Sequence, residues 1–225
     1  MTRLYTYRET YDTGFAPNPF LGVLTLANCK PDIRRTAQVG DWVAAFTANT
    51  VSDGKKIIYR GKIGEEKVVW IGRVTKKLTY AEYWKQYPQK RPKSFKGSFV
   101  ETKGGGCGAK QIAAAGCGAK STEANLSDDF GDNIYMPDES APLGFRQIPN
   151  RFHEEWNMKT DLSGKFVLIC EEFYYFGAAT PNVPQTRDVI PTCRKYRIYD
   201  ADDEASRKFI NEFKQFTIGI QKQSL

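Results

Sequence analysis

Residues 42–75, WVAAFTANTVSDGKKIIYRGKIGEEKVVWIGRVT, hold the pattern that decides the fold class of this chain. Three short runs within this stretch are rich in Val, Ile and aromatic residues, which predicts β-strands at 42–47, 56–60 and 67–75. A Gly-Asp turn directly precedes the first run. Short strands separated by turns favour an antiparallel, barrel-like sheet over a doubly wound parallel sheet.

The flanking sequence adds more strands and only a few helices. Further strands are predicted at residues 4–7, 20–27, 166–176 and 195–199. Helices are predicted at 32–36 after Pro31, at 79–84 behind a Thr79/Glu82 capping box, and at 202–216, where Phe209, Phe213 and Phe216 share one face. We therefore expect an α+β fold, mostly antiparallel, with short peripheral helices and a C-terminal helix.

The composition is typical of a single globular domain, which we expect to cover residues 1–225. The chain has 225 residues, 40% of them hydrophobic and 26% charged, and a chain of this length buries roughly 70% of its unfolded surface. No apolar run approaches the roughly 20 residues of a membrane helix, and residues 1–10 lack an apolar signal core. Five cysteines at wide spacings indicate a reducing compartment rather than a disulfide scaffold. These features predict a cytoplasmic protein without a membrane partner.

Residues 103–127 are rich in Gly, Ala and Ser, and we expect them to form a flexible loop within the domain. The segment contains a short repeat, GCGAK, at 106–110 and 116–120. A phosphate-binding loop needs Gly directly before Lys, whereas Ala109 and Ala119 occupy those places. The two cysteines of the repeat have no CxxC partner and no nearby histidine, so the sequence predicts no metal site and no cofactor.

Positive charge is concentrated between residues 54 and 120. That segment has 16 Lys and Arg against 4 Glu, a net +12, and the rest of the chain has 17 against 22, a net −5, which accounts for the overall +7. Such a segment predicts contact with a nucleic-acid backbone, through Lys76, Lys77, Lys90, Arg91 and Lys93. The aromatic residues between them would stack on unpaired bases or, in the alternative, point into the core: Tyr80, Tyr83, Trp84, Tyr87 and Phe95.

Two further features carry candidate chemistry. The segment GDNIY, residues 131–135, places Asp132 and Asn133 where they would hydrogen-bond a base edge, with Tyr135 available for stacking. In an equally weighted alternative, this segment is a turn in which Asp132 and Asn133 cap the backbone. His153 is the only histidine, which excludes a multi-histidine metal site. Asp132 and His153 are therefore the candidate catalytic acid or base.

The cysteines divide by their surroundings. Cys29 and Cys170 lie beside or within apolar runs, which predicts buried free thiols. Cys193 is followed by Arg194 and Lys195, whose positive charges favour a reactive thiol, so Cys193 is a further candidate nucleophile.

Four blocks of sequence carry a family resemblance: YTYRETYDTGFAPNPFLGVLTLANCKPDIRRTAQVGDWV at 5–43, GDNIY at 131–135, the lone His153, and FVLICEEFYYFG at 166–177. They resemble the second type of the nucleotide modification associated domain family. The resemblance implies a role with systems that modify bases in phage and bacterial DNA, with base-modification enzymes as partners, and implies no established reaction. Where the family leads us to expect a histidine-containing GRGH-like motif, residues 191–195 are PTCRK.

A second resemblance concerns architecture. A basic helix, then VGDWVAAF, a hairpin and VVWIGRVTK is similar in order to the PUA-like group that includes the EVE and YTH domains. It implies a β pseudo-barrel whose aromatic-walled pocket holds a flipped or modified base. One mouth of this barrel would gather Asp12, Thr13, Asn18, Lys30, Arg34 and Arg35, and Trp42 would wall the base unless it is a core residue. With Asp132, Asn133, Tyr135 and His153, these residues form the expected nucleotide-binding set.

Three functions are compatible with these patterns. The first is a protein that binds modified or unstacked nucleobases or nucleotides in a base-modification or phage–host conflict system. The second is an enzyme that modifies a nucleobase or nucleotide, with Asp132 or His153 as acid or base. The third is a phage-type protein that sequesters a nucleotide signal. All three imply a nucleic-acid or nucleotide ligand.

Overall fold

A computed structural model describes residues 1–92, 131–192 and 195–221, and shows an α+β fold made mostly of sheet with a few short helices. The strands are β1 (Arg3–Tyr11), β2 (Leu24–Leu26), β3 (Trp42–Ser52), β4 (Ile57–Arg60), β5 (Val68–Arg73), β6 (Lys76–Thr79), β7 (Tyr135–Pro137), β8 (Phe145–Gln147), β9 (Phe166–Cys170), β10 (Glu172–Tyr175), β11 (Tyr196–Asp200) and β12 (Gly219–Ile220). The helices are α1 (Pro31–Thr36), α2 (Tyr80–Gln86), α3 (Met158–Leu162) and α4 (Glu204–Phe213). The predictions for the 103–127 loop, Lys93, Phe95, Cys193 and Arg194 concern positions outside the described residues.

The described strands form three sheets. The large sheet has seven strands in the order β11-β1-β3-β5-β10-β12, with β4 paired to the end of β3. A smaller sheet has the order β2-β9-β6, and β7 pairs with β8. The pairings are antiparallel except for β1 with β3 and β10 with β12, which confirms a mostly antiparallel fold for the described residues.

The described sheets do not close into a barrel, so the expected PUA-like pseudo-barrel is not confirmed. The strand predicted at 67–75 forms as β5, and β6 follows it at residues for which no strand was predicted. The single strand predicted at 166–176 divides into β9 and β10. β5 and β10 pair in the large sheet, whereas β6 and β9 pair in the small sheet. The backbone N–H of Glu171 donates to Thr75 Oγ1 at 3.1 Å where both strands change sheet, so the break is stabilised by a side-chain contact.

Both faces of the large sheet are covered, because its central strands bury alternate side chains on opposite sides. On one face, Tyr5 and Tyr7 of β1 pack with Leu26 of β2 and Leu168 of β9, so the small sheet lies against the large one. On the other face, α4 packs its phenylalanines. A third cluster, with Tyr83 and its neighbours, covers the outer face of the small sheet. The chain therefore forms stacked layers with the small sheet buried between them.

The helix predictions are close to the observed helices. Thr79 caps α2, and Glu82 reaches back to the Thr79 backbone, which confirms the capping box. Asp203 caps α4, and Phe209 and Phe213 are buried with Phe216 packed against the same cluster, which confirms the apolar face. In the part of the chain that the structure describes, every helix is too short or too polar to cross a bilayer.

Candidate functional site

The turn between β2 and α1 presents a cysteine in an unusual backbone conformation. Cys29 and Lys30 have φ angles of 58° and 42°, a left-handed region that residues other than glycine rarely occupy. The turn is stabilised from outside, since the backbone N–H of Cys29 donates to Asp161 Oδ1 at 2.8 Å and Arg34 Nε donates to the Cys29 carbonyl at 2.7 Å. A strained strand-to-helix turn is a known way to expose a nucleophile.

The Cys29 side chain in this turn begins a continuous chain of contacts that includes three further side chains. Cys29 Sγ lies 3.4 Å from His153 Nε2, and His153 Nδ1 lies 2.6 Å from Asp161 Oδ2. Tyr135 Oη donates to the same Asp161 oxygen at 2.7 Å. Cys29 is partly exposed, whereas the side chains of His153 and Asp161 are 11% and 2% exposed. We call Cys29, His153, Asp161 and Tyr135 the Cys29 cluster.

The electrostatics of the Cys29 cluster favour an ion pair. Burial of the imidazole disfavours its charged form, but the hydrogen bonds and charges of Asp161 and Cys29 outweigh this effect and raise the pKa of His153 to about 9. Burial also opposes ionisation of Asp161, yet the imidazole and the Tyr135 hydroxyl lower the pKa of that carboxyl below its usual value. His153 is therefore an imidazolium at neutral pH, next to the sulfur.

A second group of polar side chains lies beside Cys29, on the face of β1 that is turned toward the small sheet. Glu9 follows Tyr7 on that face, is 3% exposed, and its Oε2 has no hydrogen-bond partner among the described residues. Burial and the nearby charge of Asp12 raise the pKa of Glu9 well above its usual value, against the opposing charge of Lys30. The Lys30 ammonium lies 4.4 Å from the centre of the Tyr7 ring.

Asp12 belongs to the same group but is anchored. It accepts hydrogen bonds from the Tyr175 hydroxyl and, at 2.6 Å, from the backbone N–H of Ala178. Thr13, beside it, accepts from the Phe15 backbone N–H at 3.3 Å. Asp12, Thr13, Lys30 and Cys29 are all partly exposed, so this polar group reaches the surface.

A surface cleft of about 740 Å³ lies on the other side of His153. Its lining includes Trp156, whose side chain is 77% exposed, together with Arg146 and Lys159. The same lining includes the carboxylates of Glu154 and Glu155, and Arg146 pairs with Asp138 at 2.5 Å, so the cleft presents charges of both signs.

Asp132 and Asn133 of the GDNIY segment form a different, closed network, whereas Tyr135 of the same segment belongs to the Cys29 cluster. Asp132 Oδ2 accepts from Thr25 Oγ1 at 2.6 Å and Asp132 Oδ1 accepts from Tyr83 Oη at 2.7 Å. Asn133 Nδ2 donates to the carbonyls of Tyr83 and Tyr87, both at 3.1 Å. Burial raises the pKa of Asp132 to about 6, against the opposing charge of Lys90. The geometry corresponds to the structural alternative for this segment, in which Asp132 and Asn133 bind the protein itself.

Lys90 completes this second network. It is fully buried, and its ammonium donates to Asn18 Oδ1 at 2.7 Å and to the Val23 carbonyl at 2.8 Å. Burial lowers the pKa of Lys90 to about 8. We call Asp132, Thr25, Tyr83, Lys90 and Asn18 the Asp132 cluster. Lys90 and the Asn18 side chain are hydrogen-bonded to the protein itself in this arrangement.

Arg34 and Trp42 are also interior residues. Arg34 is fully buried, and its guanidinium donates to Tyr80 Oη at 2.5 Å and to the carbonyls of Phe166 and Asp161 at 2.8 and 2.6 Å. Trp42 is 6% exposed and belongs to the cluster that packs against α4. It is therefore a core residue, as the second interpretation of Trp42 expects.

The remaining basic residues lie nearer the surface. Arg35 is exposed and pairs with Asp32, Lys76 pairs with Glu171 at 2.7 Å, and Lys77 donates to the carbonyls of Arg35 and Ala37 at 2.9 and 2.7 Å. The Arg91 guanidinium stacks 3.9 Å from the centre of the Trp84 ring. Between them, Tyr80, Tyr83 and Tyr87 point into the core, as the alternative interpretation of this segment expects.

The structure places His153 and Tyr135 of the predicted set in the Cys29 cluster, and Asp12 and Lys30 in the neighbouring polar group. Cys29 was expected to be a buried free thiol but is partly exposed, and Asp161 and Glu9 were not among the predicted residues. One sequence feature could have indicated Cys29: it lies directly before the Lys30-Pro31 pair that opens a helix. Within the described ranges, no group of three His, Cys, Asp or Glu side chains is arranged to hold a metal ion.

The sequence model of the family described as nucleotide modification associated domain 2 matches residues 1–107 and 119–224. The chain belongs to this family. The match includes every residue of the Cys29 cluster and of the Asp132 cluster, and interrupts only inside the Gly- and Ala-rich segment, at 108–118. No curated protein and no solved structure matches the chain. Membership connects the chain with nucleotide modification and leaves the reaction to be inferred from the site.

Proposed function

We propose that this protein is an enzyme that modifies a nucleobase or nucleotide, with Cys29 as the nucleophile. The observation that carries the proposal is the chain of contacts from Cys29 Sγ through His153 to Asp161. A nucleophile, a base within hydrogen-bond reach and a third group that orients the base are the recurring parts of covalent catalysis. The substrate class follows from family membership.

In the proposed site, the Cys29 sulfur lies beside the His153 imidazolium, whose positive charge favours the attacking thiolate, and the Asp161 carboxylate orients the ring through Nδ1. This assignment uses the raised pKa of His153, about 9, and the lowered pKa of Asp161. Tyr135 supports the same carboxylate from its far side. Of the two candidate acid–base residues, His153 therefore takes that role in the proposal. Asp132 does not, because it lies in the closed network.

The proposed step forms a bond between Cys29 sulfur and an electrophilic carbon of the substrate. The electron pair of the attacked π bond moves to a heteroatom of the substrate, which takes the proton from the His153 imidazolium. Neutral His153 then accepts a proton from an incoming water or second substrate, which displaces the sulfur and regenerates the thiolate. Protons and electrons balance without a cofactor.

The test compares Cys29→Ala with Cys170→Ala, the matched control in which the other described cysteine is removed. Nucleosides from DNA and RNA of expressing cells are compared by mass spectrometry. We expect a changed nucleoside with the wild type and Cys170→Ala and none with Cys29→Ala. The same product from Cys29→Ala would overturn the assignment of the nucleophile.

A second measurement uses the purified protein and needs no substrate. Iodoacetamide labelling is followed by peptide mapping, with Cys170 as the internal reference because it is 1% exposed and burial raises its pKa. We expect Cys29 to be alkylated first, and His153→Gln to slow its alkylation. Equal rates at Cys29 in the wild type and His153→Gln would contradict an activating role for the imidazole.

A binding protein without chemistry is the second candidate, and the unpaired carboxyl oxygen of Glu9 beside Lys30 favours it. Binding of a modified or unstacked base, or sequestration of a nucleotide, would use the same partly exposed polar group around Cys29 and Lys30 as the enzyme. Retained nucleotide binding with no reactive Cys29 would favour this candidate.

A further inference from the structure

The carboxyl group of Glu9 is the least satisfied charged group in the described interior. It is 3% exposed, its Oε2 has no hydrogen-bond partner, and the described residues form no ion pair with it. An unpaired buried polar atom lowers stability, and a ligand that hydrogen-bonds to it recovers that loss. Nearly every other buried carboxyl oxygen described here has a partner.

The position of Glu9 connects it to the proposed nucleophile. Tyr7 and Glu9 lie two residues apart on β1 and therefore on the same face of the large sheet, the face that packs against the small sheet. Cys29 and Lys30 follow β2 of the small sheet, with the Lys30 ammonium over the Tyr7 ring. The charges of Asp12, Lys30 and Cys29 contribute to the shifted pKa of Glu9, in agreement with this placement.

We propose that Glu9, as a neutral carboxylic acid, donates a hydrogen bond from Oε2 to the ring nitrogen of an amidine-type nucleobase, cytosine or adenine, held beside Cys29. The proposal rests on the proposed function only for the substrate class, since binding does not require a reactive thiol. Lys30 supplies the cation for the nucleotide's phosphate or for a base carbonyl.

A neutral carboxylic acid in this site would favour cytosine and adenine over uracil and hypoxanthine. A carboxylic acid donates one hydrogen bond, and cytosine N3 and adenine N1 accept one. Uracil and hypoxanthine carry N–H at the corresponding ring positions, so they would need Oε2 to accept, with the proton moved to Oε1 or lost from Glu9. A desolvated carboxyl without a cation partner is stabilised in its neutral form, and the pKa of Glu9 is raised in agreement with this. The Trp70 indole N–H, which donates to Tyr7 Oη at 3.1 Å, has only a small opposing effect.

The experiment uses the full chain carrying Cys29→Ala, so that no turnover accompanies binding. Calorimetric titrations at pH 7 use four probes: CMP, UMP, AMP and IMP. We expect CMP or AMP to bind about tenfold more tightly than its N–H counterpart, which corresponds to one net hydrogen bond. No binding of any probe, or equal affinities within each pair, would overturn the proposal.

Two substitutions of Glu9 separate its role from a general effect on the fold. Glu9→Gln keeps a donor at this position and should retain the preference, whereas Glu9→Leu has similar volume without a donor and should abolish it. Removing an unpaired buried acid should leave the melting temperature of Glu9→Leu unchanged or raised. A folded Glu9→Leu variant with the original preference would overturn the assignment.

The pH dependence provides an independent measurement. The groups that act on Glu9 are Tyr7 of β1, Asp12 after it, Cys29 and Lys30 of the β2–α1 turn, and Tyr175 of β10. In the Cys29→Ala background, affinity for the preferred nucleotide should fall at high pH as Glu9 ionises. Glu9→Gln should remove that fall, and the same fall in both proteins would contradict a protonated Glu9. Loss of Cys29 reactivity alone would leave these binding results intact, so the two proposals fail separately.

Discussion

The Cys29 cluster and the Asp132 cluster are both buried networks of titratable side chains, and they differ in what remains free. In the Asp132 cluster, each carboxyl oxygen accepts from a hydroxyl and the buried ammonium donates to protein oxygens. In the Cys29 cluster, the hydrogen-bonded chain ends at a partly exposed sulfur in a strained turn. Burial and a shifted pKa are common to both, so they do not identify a site; an accessible reactive atom does.

The two clusters are also joined by a hydrogen bond. Asn28, directly before Cys29, donates to the Asp132 carbonyl at 2.9 Å. The closed network is therefore in direct contact with the turn that presents the proposed nucleophile. We expect Asp132 to act on the proposed site through this contact.

The largest expected difference is in stability. Asp132→Ala should lower the free energy of unfolding by about 3–5 kcal/mol, because it leaves the Thr25 and Tyr83 hydroxyls without their buried acceptor and removes the negative charge that favours the buried Lys90 ammonium. Cys29→Ala should change it by less than about 1 kcal/mol, because His153 and Asp161 keep each other. Urea unfolding at pH 7 measures both values. Similar effects of the two substitutions would remove the distinction between the clusters.

The second largest expected difference between the clusters is in how their stability depends on pH. The folded pKa values of His153 and Asp132 are both raised, to about 9 and about 6, so each group contributes stability that is lost as pH rises. For His153 the loss falls between about pH 6.5 and 9, and for Asp132 between about pH 4 and 6, each at most about 3 kcal/mol. Urea unfolding of the wild type against His153→Gln and Asp132→Asn isolates each window. Coincident windows would contradict the pKa assignments.

Two tyrosines, one in each cluster, allow the clusters to be compared by removing a single hydrogen bond from each. Tyr135 Oη donates to Asp161 and Tyr83 Oη donates to Asp132, both at 2.7 Å. Each Tyr→Phe substitution should lower stability by about 1.5–3 kcal/mol, the usual range for a hydrogen bond to a charged group. Only Tyr135→Phe should also alter the pH profile of Cys29 alkylation. An altered profile in Tyr83→Phe would show that the Asp132 cluster takes part in the chemistry.

The smallest expected effect is at the surface. Arg35 pairs with Asp32 while both side chains remain largely exposed, and such pairs contribute about 0–1 kcal/mol. Arg35→Ala should therefore leave the melting curve nearly unchanged. If Arg35 contacts phosphate as the sequence predicts, the same variant should weaken nucleotide binding more strongly at low salt than at high salt. Unchanged binding at both salt concentrations would remove Arg35 from the binding set.

The short-range features of this fold were predictable because they depend on neighbouring residues. The Thr79 capping box and the phenylalanine face of α4 follow from spacing along one helix. The division of residues 166–176 into two strands was not predictable, because the apolar run continues and the break at Glu171 depends on a contact with Thr75. The buried positions of Arg34 and Lys90 were also missed, since a basic residue enters a core only where carbonyls from distant segments converge on it.

By itself, the sequence determined the α+β class, the helix caps and the family, and it singled out the single histidine, His153, because all of these depend on residue type and local order. Only the tertiary structure decided the partners of that histidine. Cys29 and Asp161 are separated from His153 by 124 and 8 positions along the chain, and packing of the small sheet against α3 brings the three together. Hydrogen bonds act over about 3 Å, so a site made of them exists only where the fold brings distant segments within that distance.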